Sequence, residues 1–275
     1  MYSRDAVDQS FKIKDFKEIV SYKKEFYKEN PTYFNSDGLI CFIGSQGTGK
    51  TLSAVRYCCN LLKLYPKLKF VSNIQVSDFP IITFEEFLKK RYNKKVFLDY
   101  ETLSPGMQKA LKNDYYAINR VFPFRNADDL KRYNNYDEGV LYLIDEIQLY
   151  FNSLESKNVS MDVMAEISQQ RKQRKHIVCT SQVFGRLAKP LREQFNSIVK
   201  CSCLLNCFQL NYYYKAEDLE SDGDYMHFKG PKDKLSFFFH SPHDYKNYDT
   251  YYKIQDLDPT NKGGLLYESS SDRGC

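Results

Sequence analysis

One octapeptide constrains this chain more than any other part of it. Gly44-Ser45-Gln46-Gly47-Thr48-Gly49-Lys50-Thr51 fits the pattern G-x-x-x-x-G-K-[ST] at every fixed position. A loop this rich in glycine can turn several backbone N–H groups inward around one anion. Lys50 adds a compact positive charge, and Thr51 a hydroxyl of the kind that ligates Mg²⁺. The short apolar run Leu39–Ile43 precedes the loop. A helical pattern follows from Lys50 to about Leu64, with Leu52, Val55, Cys58, Cys59 and Leu62 at helical spacing and Pro66 beyond its end. Strand, glycine loop and helix are the context the motif requires, because a helix N-terminus offers further N–H groups to phosphate. The expectation is a triphosphate cradle built from residues Gly44 to Thr51: Gly44, Ser45, Gln46, Gly47, Thr48, Gly49, Lys50 and Thr51. Such a loop reads phosphates and not the base, so it does not separate ATP from other nucleoside triphosphates.

With 275 residues, 42% of them hydrophobic, the chain can bury a sizeable core, as one domain with additions or as two small ones. Its apolar stretches are short. The best, Leu39–Ile43 and Val140–Ile144, fall far below the roughly 18–20 residues that span a bilayer, and the first ten residues carry no apolar signal core. No membrane insertion and an intracellular setting are expected. Eight cysteines are too sparse for a disulfide scaffold, and Cys41, Cys58, Cys59 and Cys179 fall in apolar segments, as reduced core thiols do.

Along the chain, residues 1–37 mix Lys and Glu with apolar residues, with Phe11, Phe16 and Val20 on one helical face, and predict a helical arm that packs on something else. A core is expected over 38–204. Its strands are Leu39–Ile43, Phe70–Ile74, Val140–Ile144 and Ile177–Thr180, with a fifth over Ser197–Leu204. Helices are expected after Thr83, where Thr83 and Glu86 form a capping-box pattern, and over 160–174. Alternating strands and helices give the α/β class. Residues 92–138, polar and broken by Pro105 and Pro123, read as an insertion with partial helix over Met107–Ile118, outside the core. Residues 205–275 read as an aromatic, β-rich C-terminal extension ending in a loose tail.

The second chemical signal is Leu143-Ile144-Asp145-Glu146. An apolar strand ending in Asp sets a carboxylate beside Mg²⁺ on bound phosphates, so Thr51 and Asp145 are the expected metal-side residues. A Glu directly after it can polarise the attacking water, which makes Glu146 the expected base. Thr180-Ser181-Gln182 end another apolar strand. In hydrolases with a catalytic Glu, such a strand lies between the loop strand and the Asp-Glu strand, and a polar residue at its tip senses the γ-phosphate. Gln182 is the first candidate, and Thr180 or Ser181 the next. Residues 171–192 hold seven Lys/Arg and no Asp/Glu. That asymmetry fits nucleic-acid phosphates, an arginine finger for a neighbouring subunit (Arg171, Arg174 or Arg186), or a solvated helix end. The overall charge of +5 is too small to carry a nucleic-acid reading by itself.

Together these residues resemble the FtsK–HerA superfamily of P-loop ATPases, with viral DNA-packaging ATPases and Zot-like phage assembly ATPases as the nearest look. The loop Gly44–Thr51, the Ser72-Asn73-Ile74 strand, Leu143–Glu146 with Tyr150 and Phe151 after it, and the Arg/Lys-rich helix leading into Ile177–Gln182 carry the resemblance, over about residues 38–203. It implies a RecA-like core with a central, mostly parallel sheet flanked by helices. It implies Mg²⁺-dependent ATP hydrolysis and a homo-oligomeric ring, often a hexamer, that moves DNA through backbone contacts. In those terms Lys50 and Thr51 bind nucleotide and metal, Asp145 is the metal-side acid, Glu146 the base and Gln182 the sensor. Filamentous-phage members carry a transmembrane helix, and this chain shows no such run. That favours a packaging motor in the host cytoplasm, associated with a capsid or portal vertex, over an extrusion factor with a membrane partner or a capsid-docking protein with weak turnover.

Other features carry less. Cys201, Cys203 and Cys207 lack a standard zinc spacing. His240 and His243 face no completed ligand set. Tyr212–Tyr214 and Phe237–Phe239 suit strand packing or base stacking. Aromatic residues make up 16% of the chain, concentrated in 92–138 and after 207, where partner or DNA contacts are to be sought, with packing the commoner use of such rings.

Overall fold

The five residues before the glycine loop are all buried, and this sets the frame. In the computed structural model, which describes residues 13–31, 33–92, 99–151, 161–222 and 225–253, Leu39–Ile43 is strand β1. The strands that follow are β2 (Lys69–Ser72), β3 (Ile74–Val76), β4 (Val121–Pro123), β5 (Val140–Ile144), β6 (Lys175–Ser181), β7 (Phe195–Leu204), β8 (Phe208–Lys215), β9 (Leu219–Asp222), β10 (Tyr225–Phe228), β11 (Lys234–Phe239) and β12 (Tyr248–Lys253). The helices are α1 (Ile13–Glu29), α2 (Lys50–Leu64), α3 (Phe84–Arg91), α4 (Pro105–Ile118), α5 (Asp129–Arg132), α6 (Met161–Gln169), α7 (Lys189–Arg192) and α8 (Pro242–Lys246).

Eight strands form the central sheet in the order β11-β8-β7-β1-β6-β5-β2-β4. From β7 to β4 every pair is parallel. β8 and β11 add an antiparallel pair at one end. β6 lies between β1 and β5, hydrogen-bonded to both, as its tip residues led us to expect. A parallel sheet needs cover on both faces, so its strands read as unbroken apolar runs. Alternate residues of β1 and β5 enter separate cores. Leu39, Cys41, Ile43, Tyr142 and Ile144 pack on one side, and Ile40, Phe42, Leu141 and Leu143 on the other, against Val55, Cys58 and Leu62 of α2. Each such large side chain removed from water contributes about 1.5–3 kcal/mol before entropy is counted.

The expected capping box is present. Thr83 Oγ1 accepts from Glu86 N–H at 3.3 Å and Glu86 Oε2 accepts from Thr83 N–H at 2.9 Å. The helix expected over 160–174 is shorter, ending at Gln169. The cause is Lys175, whose buried ammonium is held by Glu166 at 2.9 Å and by the Leu130 carbonyl at 2.7 Å. That anchor starts β6 at residue 175, and the chain turns between.

Within 92–138, the described residues 99–138 do not lie outside the core, which corrects the sequence expectation. β4 pairs with β2, matching Phe70 to Val121. Leu111, Tyr115, Phe122, Phe124, Leu130 and Tyr133 are all buried in the main core. Pro123, the apparent breaker, ends a strand at the sheet edge, where a missing N–H breaks no ladder bond. Much of the aromatic excess is packing of this kind. Tyr115 meets Phe122 at 5.3 Å and Phe122 meets Tyr133 at 5.0 Å between ring centroids.

At the other end, Phe237 and Phe239 are exposed and rest on Phe208, while Phe238 turns to the opposite face under the Arg56 guanidinium at 4.3 Å. On α1, Ile19, Val20, Tyr22 and Tyr27 are exposed. Phe11 and the C-terminal tail lie outside the described residues. No helix among the described residues is long and apolar enough to cross a membrane.

Candidate nucleotide site

The site forms where β1, β5 and β6 end together, with Ile43 paired to Ser181 and Ile144 to Cys179. From β1 the chain enters the glycine loop and then α2. Gly49 caps α2 at φ 76°, in the left-handed region. A side chain there would also strike the Gln209 amide, so glycine is demanded twice. The loop is tied internally: Thr48 Oγ1 donates to the Ser45 carbonyl at 2.8 Å. Lys50 is 6% exposed, and its Nζ donates across the loop to the Ser45 carbonyl at 3.0 Å.

Thr51 and Asp145 meet here. The Thr51 hydroxyl donates to Asp145 Oδ1 at 2.8 Å, and the Thr180 hydroxyl donates to the same oxygen at 2.7 Å. Burial pushes the Asp145 carboxyl above the usual carboxylate range. The hydroxyls of Thr180 and Thr51 pull it down, the charge of Glu146 adds to the rise, and Lys50 opposes it. A buried carboxylate in that balance fits a divalent cation. Thr51 and Asp145 are hard oxygen donors, and Mg²⁺ commonly takes one or two protein ligands, filling its shell with water and phosphate oxygens. No group of three or more His, Cys, Asp or Glu suited to a metal occurs among the described residues.

Glu146 follows β5 in the left-handed region at φ 52°, a conformation costing about 1–3 kcal/mol for a residue with a side chain. The turn is held by its N–H donating to Thr180 Oγ1 at 2.9 Å. Both carboxylate oxygens accept from amides, Oε1 from Gln182 Nε2 at 2.9 Å and Oε2 from Gln148 Nε2. Gln182 and Glu146 therefore act as one unit at the mouth of the cleft.

Asn73, which carried no role in the sequence reading, holds this arrangement from behind. Its Oδ1 accepts from Asp145 N–H at 2.7 Å and its Nδ2 donates to the Asp145 carbonyl at 2.8 Å. Its position, one residue past a strand that neighbours β5, is the signal that could have found it. Asn73→Ala leaves the Asp145 N–H and carbonyl unpartnered by that side chain. It should lower stability by about 1–3 kcal/mol, read by denaturant unfolding, and lower hydrolysis through the displaced carboxylate.

Arg171 and Arg174 are not brought to this cleft. They precede β6, whereas the cleft lies past its far end, about 20 Å away at strand rise. Arg171 is exposed, and the Arg174 guanidinium lies 4.0 Å from the centroid of the Tyr33 ring. The seven cations of 171–192 are thus divided. Lys175 is buried structure, and Arg186, which follows Gln182, is exposed. Among the described residues lining the cleft, Lys50 alone is Lys or Arg. The cleft has a volume of about 660 Å³. Besides the loop, Asp145, Glu146 and Gln182, its walls include His240, Tyr245 and Tyr248 from the C-terminal region. His240 Nε2 is 3.9 Å from Cys203 Sγ, with no further metal-type ligand completing a set among the described residues.

Residues 39–230 match the profile described as Zonular occludens toxin (Zot). No curated protein sequence matches the chain. Among solved structures, the N-terminal domain of zonular occludens toxin from Neisseria meningitidis is 15% identical, with a TM-score of 0.43 over 77% of this chain and 99% of that one. The genome packaging NTPase B204 from Sulfolobus turreted icosahedral virus 2, in complex with AMP, is 13% identical, with a TM-score of 0.40 over 71% of this chain and 98% of that one.

Proposed function

The chain belongs to the zonular occludens toxin family, and from that footing we propose that it is a Mg²⁺-dependent ATPase with a RecA-like core whose hydrolysis drives DNA movement during virus assembly. The observation that carries the reading is the Thr51–Asp145 hydrogen bond, which joins the phosphate loop to the acidic strand end. The loop N–H groups and Lys50 bind the phosphates. Thr51 and Asp145 would hold Mg²⁺, which neutralises charge on the β- and γ-phosphates when bound. Glu146 orients a water and accepts its proton as the water attacks phosphorus and the bond to the leaving diphosphate breaks. Gln182, hydrogen-bonded to Glu146, reports the γ-phosphate.

In this reading the subunits assemble as a homo-oligomeric ring, in which an arginine from a neighbouring subunit joins Lys50 in neutralising the developing charge. Of the three expected fingers Arg171 and Arg186 are exposed, whereas Arg174 packs on Tyr33. DNA, through its backbone, and a capsid or portal vertex are the proposed partners. The test is ATPase rate with double- and single-stranded DNA across salt. We expect stimulation that falls steeply between about 50 and 200 mM salt, as phosphate contacts do. No stimulation by either DNA sinks the motor reading. The resemblance to Zot-like phage assembly ATPases carries a second reading, an assembly ATPase acting with a membrane partner. Co-flotation with membranes carrying that partner, with hydrolysis indifferent to DNA, would select it.

A further inference from the structure

After β11 the chain runs back across α2 to β3, and it is fixed along the way. Arg56 Nη1 of α2 donates to both carboxylate oxygens of Asp244 at 3.1 Å. Asn247, 6% exposed, contacts Cys59 Sγ at 3.5 Å, and its Oδ1 accepts from Asp78 N–H at 2.9 Å. β12 then pairs with β3. Asp244, Asn247 and β12 lie beyond residue 230, where the family match ends.

The strand order gives the cleft two sides. Asp145, Glu146 and Gln182 follow β5 and β6 on one side of β1. Cys203, Asn206 and His240 come from β7, the β7–β8 turn and the end of β11 on the other. A triphosphate held with its γ end toward Glu146 has the second side of the cleft open to its sugar and base. There Tyr245 is 54% exposed, yet its hydroxyl lies 2.5 Å from His240 Nδ1 and 3.1 Å from the Asn206 carbonyl. His240 meets the edge of its ring at 5.4 Å between centroids. His240 is positioned in turn by Gln209. That buried amide accepts at Oε1 from His240 Nε2 at 3.2 Å and donates from Nε2 to the Thr48 carbonyl in the loop at 3.0 Å. An exposed aromatic ring is thereby oriented from the phosphate loop itself. A volume of about 660 Å³ leaves room for a nucleotide, within the usual range for small-ligand sites.

We propose that Tyr245 and His240 form the nucleoside subsite of this cleft, with the base of a nucleoside triphosphate stacked on the Tyr245 ring. The proposal rests on the phosphate reading of the loop and adds what the loop does not read. The test compares binding of ATP and of inorganic tripolyphosphate, each with Mg²⁺, to the full chain and to Tyr245→Ala and Tyr245→Phe by calorimetry. The native chain should prefer ATP. Tyr245→Ala should lose about tenfold in ATP affinity, the scale of one base–aromatic stack, with tripolyphosphate unchanged. Tyr245→Phe, which keeps the ring but loses the hydroxyl that ties it to His240 and the Asn206 carbonyl, should lose less than Tyr245→Ala. Equal losses for both ligands would make Tyr245 a support for the loop and overturn the proposal, as would ATP binding untouched by Tyr245→Ala. A native chain that binds neither ligand overturns the phosphate reading and this subsite with it. A native chain that binds both equally overturns the subsite alone.

Discussion

Lys50→Ala is expected to abolish ATP hydrolysis. The ammonium is almost wholly buried at the base of the loop, bonded to the Ser45 carbonyl, and no other Lys or Arg among the described residues lines the cleft. Its removal leaves the inward N–H groups and the helix dipole, which together carry far less charge than the phosphates require. The loop itself keeps its Thr48–Ser45 bond and its glycines, so folding should survive. The check is steady-state phosphate release alongside a thermal melt. Unchanged melting with rates at background is the expected result. Retained hydrolysis would mean that the phosphates bind elsewhere.

Glu146→Gln should separate binding from chemistry. The amide keeps the length and shape of the side chain but cannot take a proton, and loss of a positioned base costs about 10²–10⁴-fold in rate. ATP binding should stay near native, since Lys50, Thr51 and Asp145 are untouched. The fall should therefore appear in kcat and not in KM. One disturbance is foreseeable. The native carboxylate accepts from both Gln182 and Gln148, and a glutamine at 146 must point its NH₂ at one of them. A structure of the variant, or Gln182→Ala combined with it, separates that rearrangement from loss of the base. Normal turnover in Glu146→Gln would remove Glu146 from the mechanism.

Those two residues were readable because their chemistry is local. The glycine loop and the Asp-Glu strand end each occupy a few consecutive positions, and the apolar runs leading into them report a sheet buried on both faces. The position of β6 between β1 and β5 followed from the polar tip of one strand. What escaped is non-local. Asn73 acts only because β2 lies beside β5. Gln209 acts because β8 folds back until its amide fills the space that Gly49 leaves. Val121–Pro123 pairs at an edge where proline is tolerated, and so reads in sequence as part of an insertion outside the core. The strand that divides the cation run is expected from sequence over Ile177–Thr180, but the burial of Lys175 against Glu166 at its start is not. Polar contacts between distant strands leave no periodicity to read.

The left-handed turn at Glu146 bears on how activity and folding are tied together. That backbone is unfavourable for glutamate taken alone, and it persists because Thr180, at the end of β6, receives the Glu146 N–H while giving its own hydrogen to Asp145. On the proposed reading the base is therefore aimed by the ladder between two neighbouring strands and not by its own local sequence. Any opening of β6 from β5, even one too brief to unfold the molecule, lets the turn relax and takes aim away from the water. The proposed hydrolysis should then fade before the sheet melts, so that heat or mild denaturant silences it while the chain is still folded.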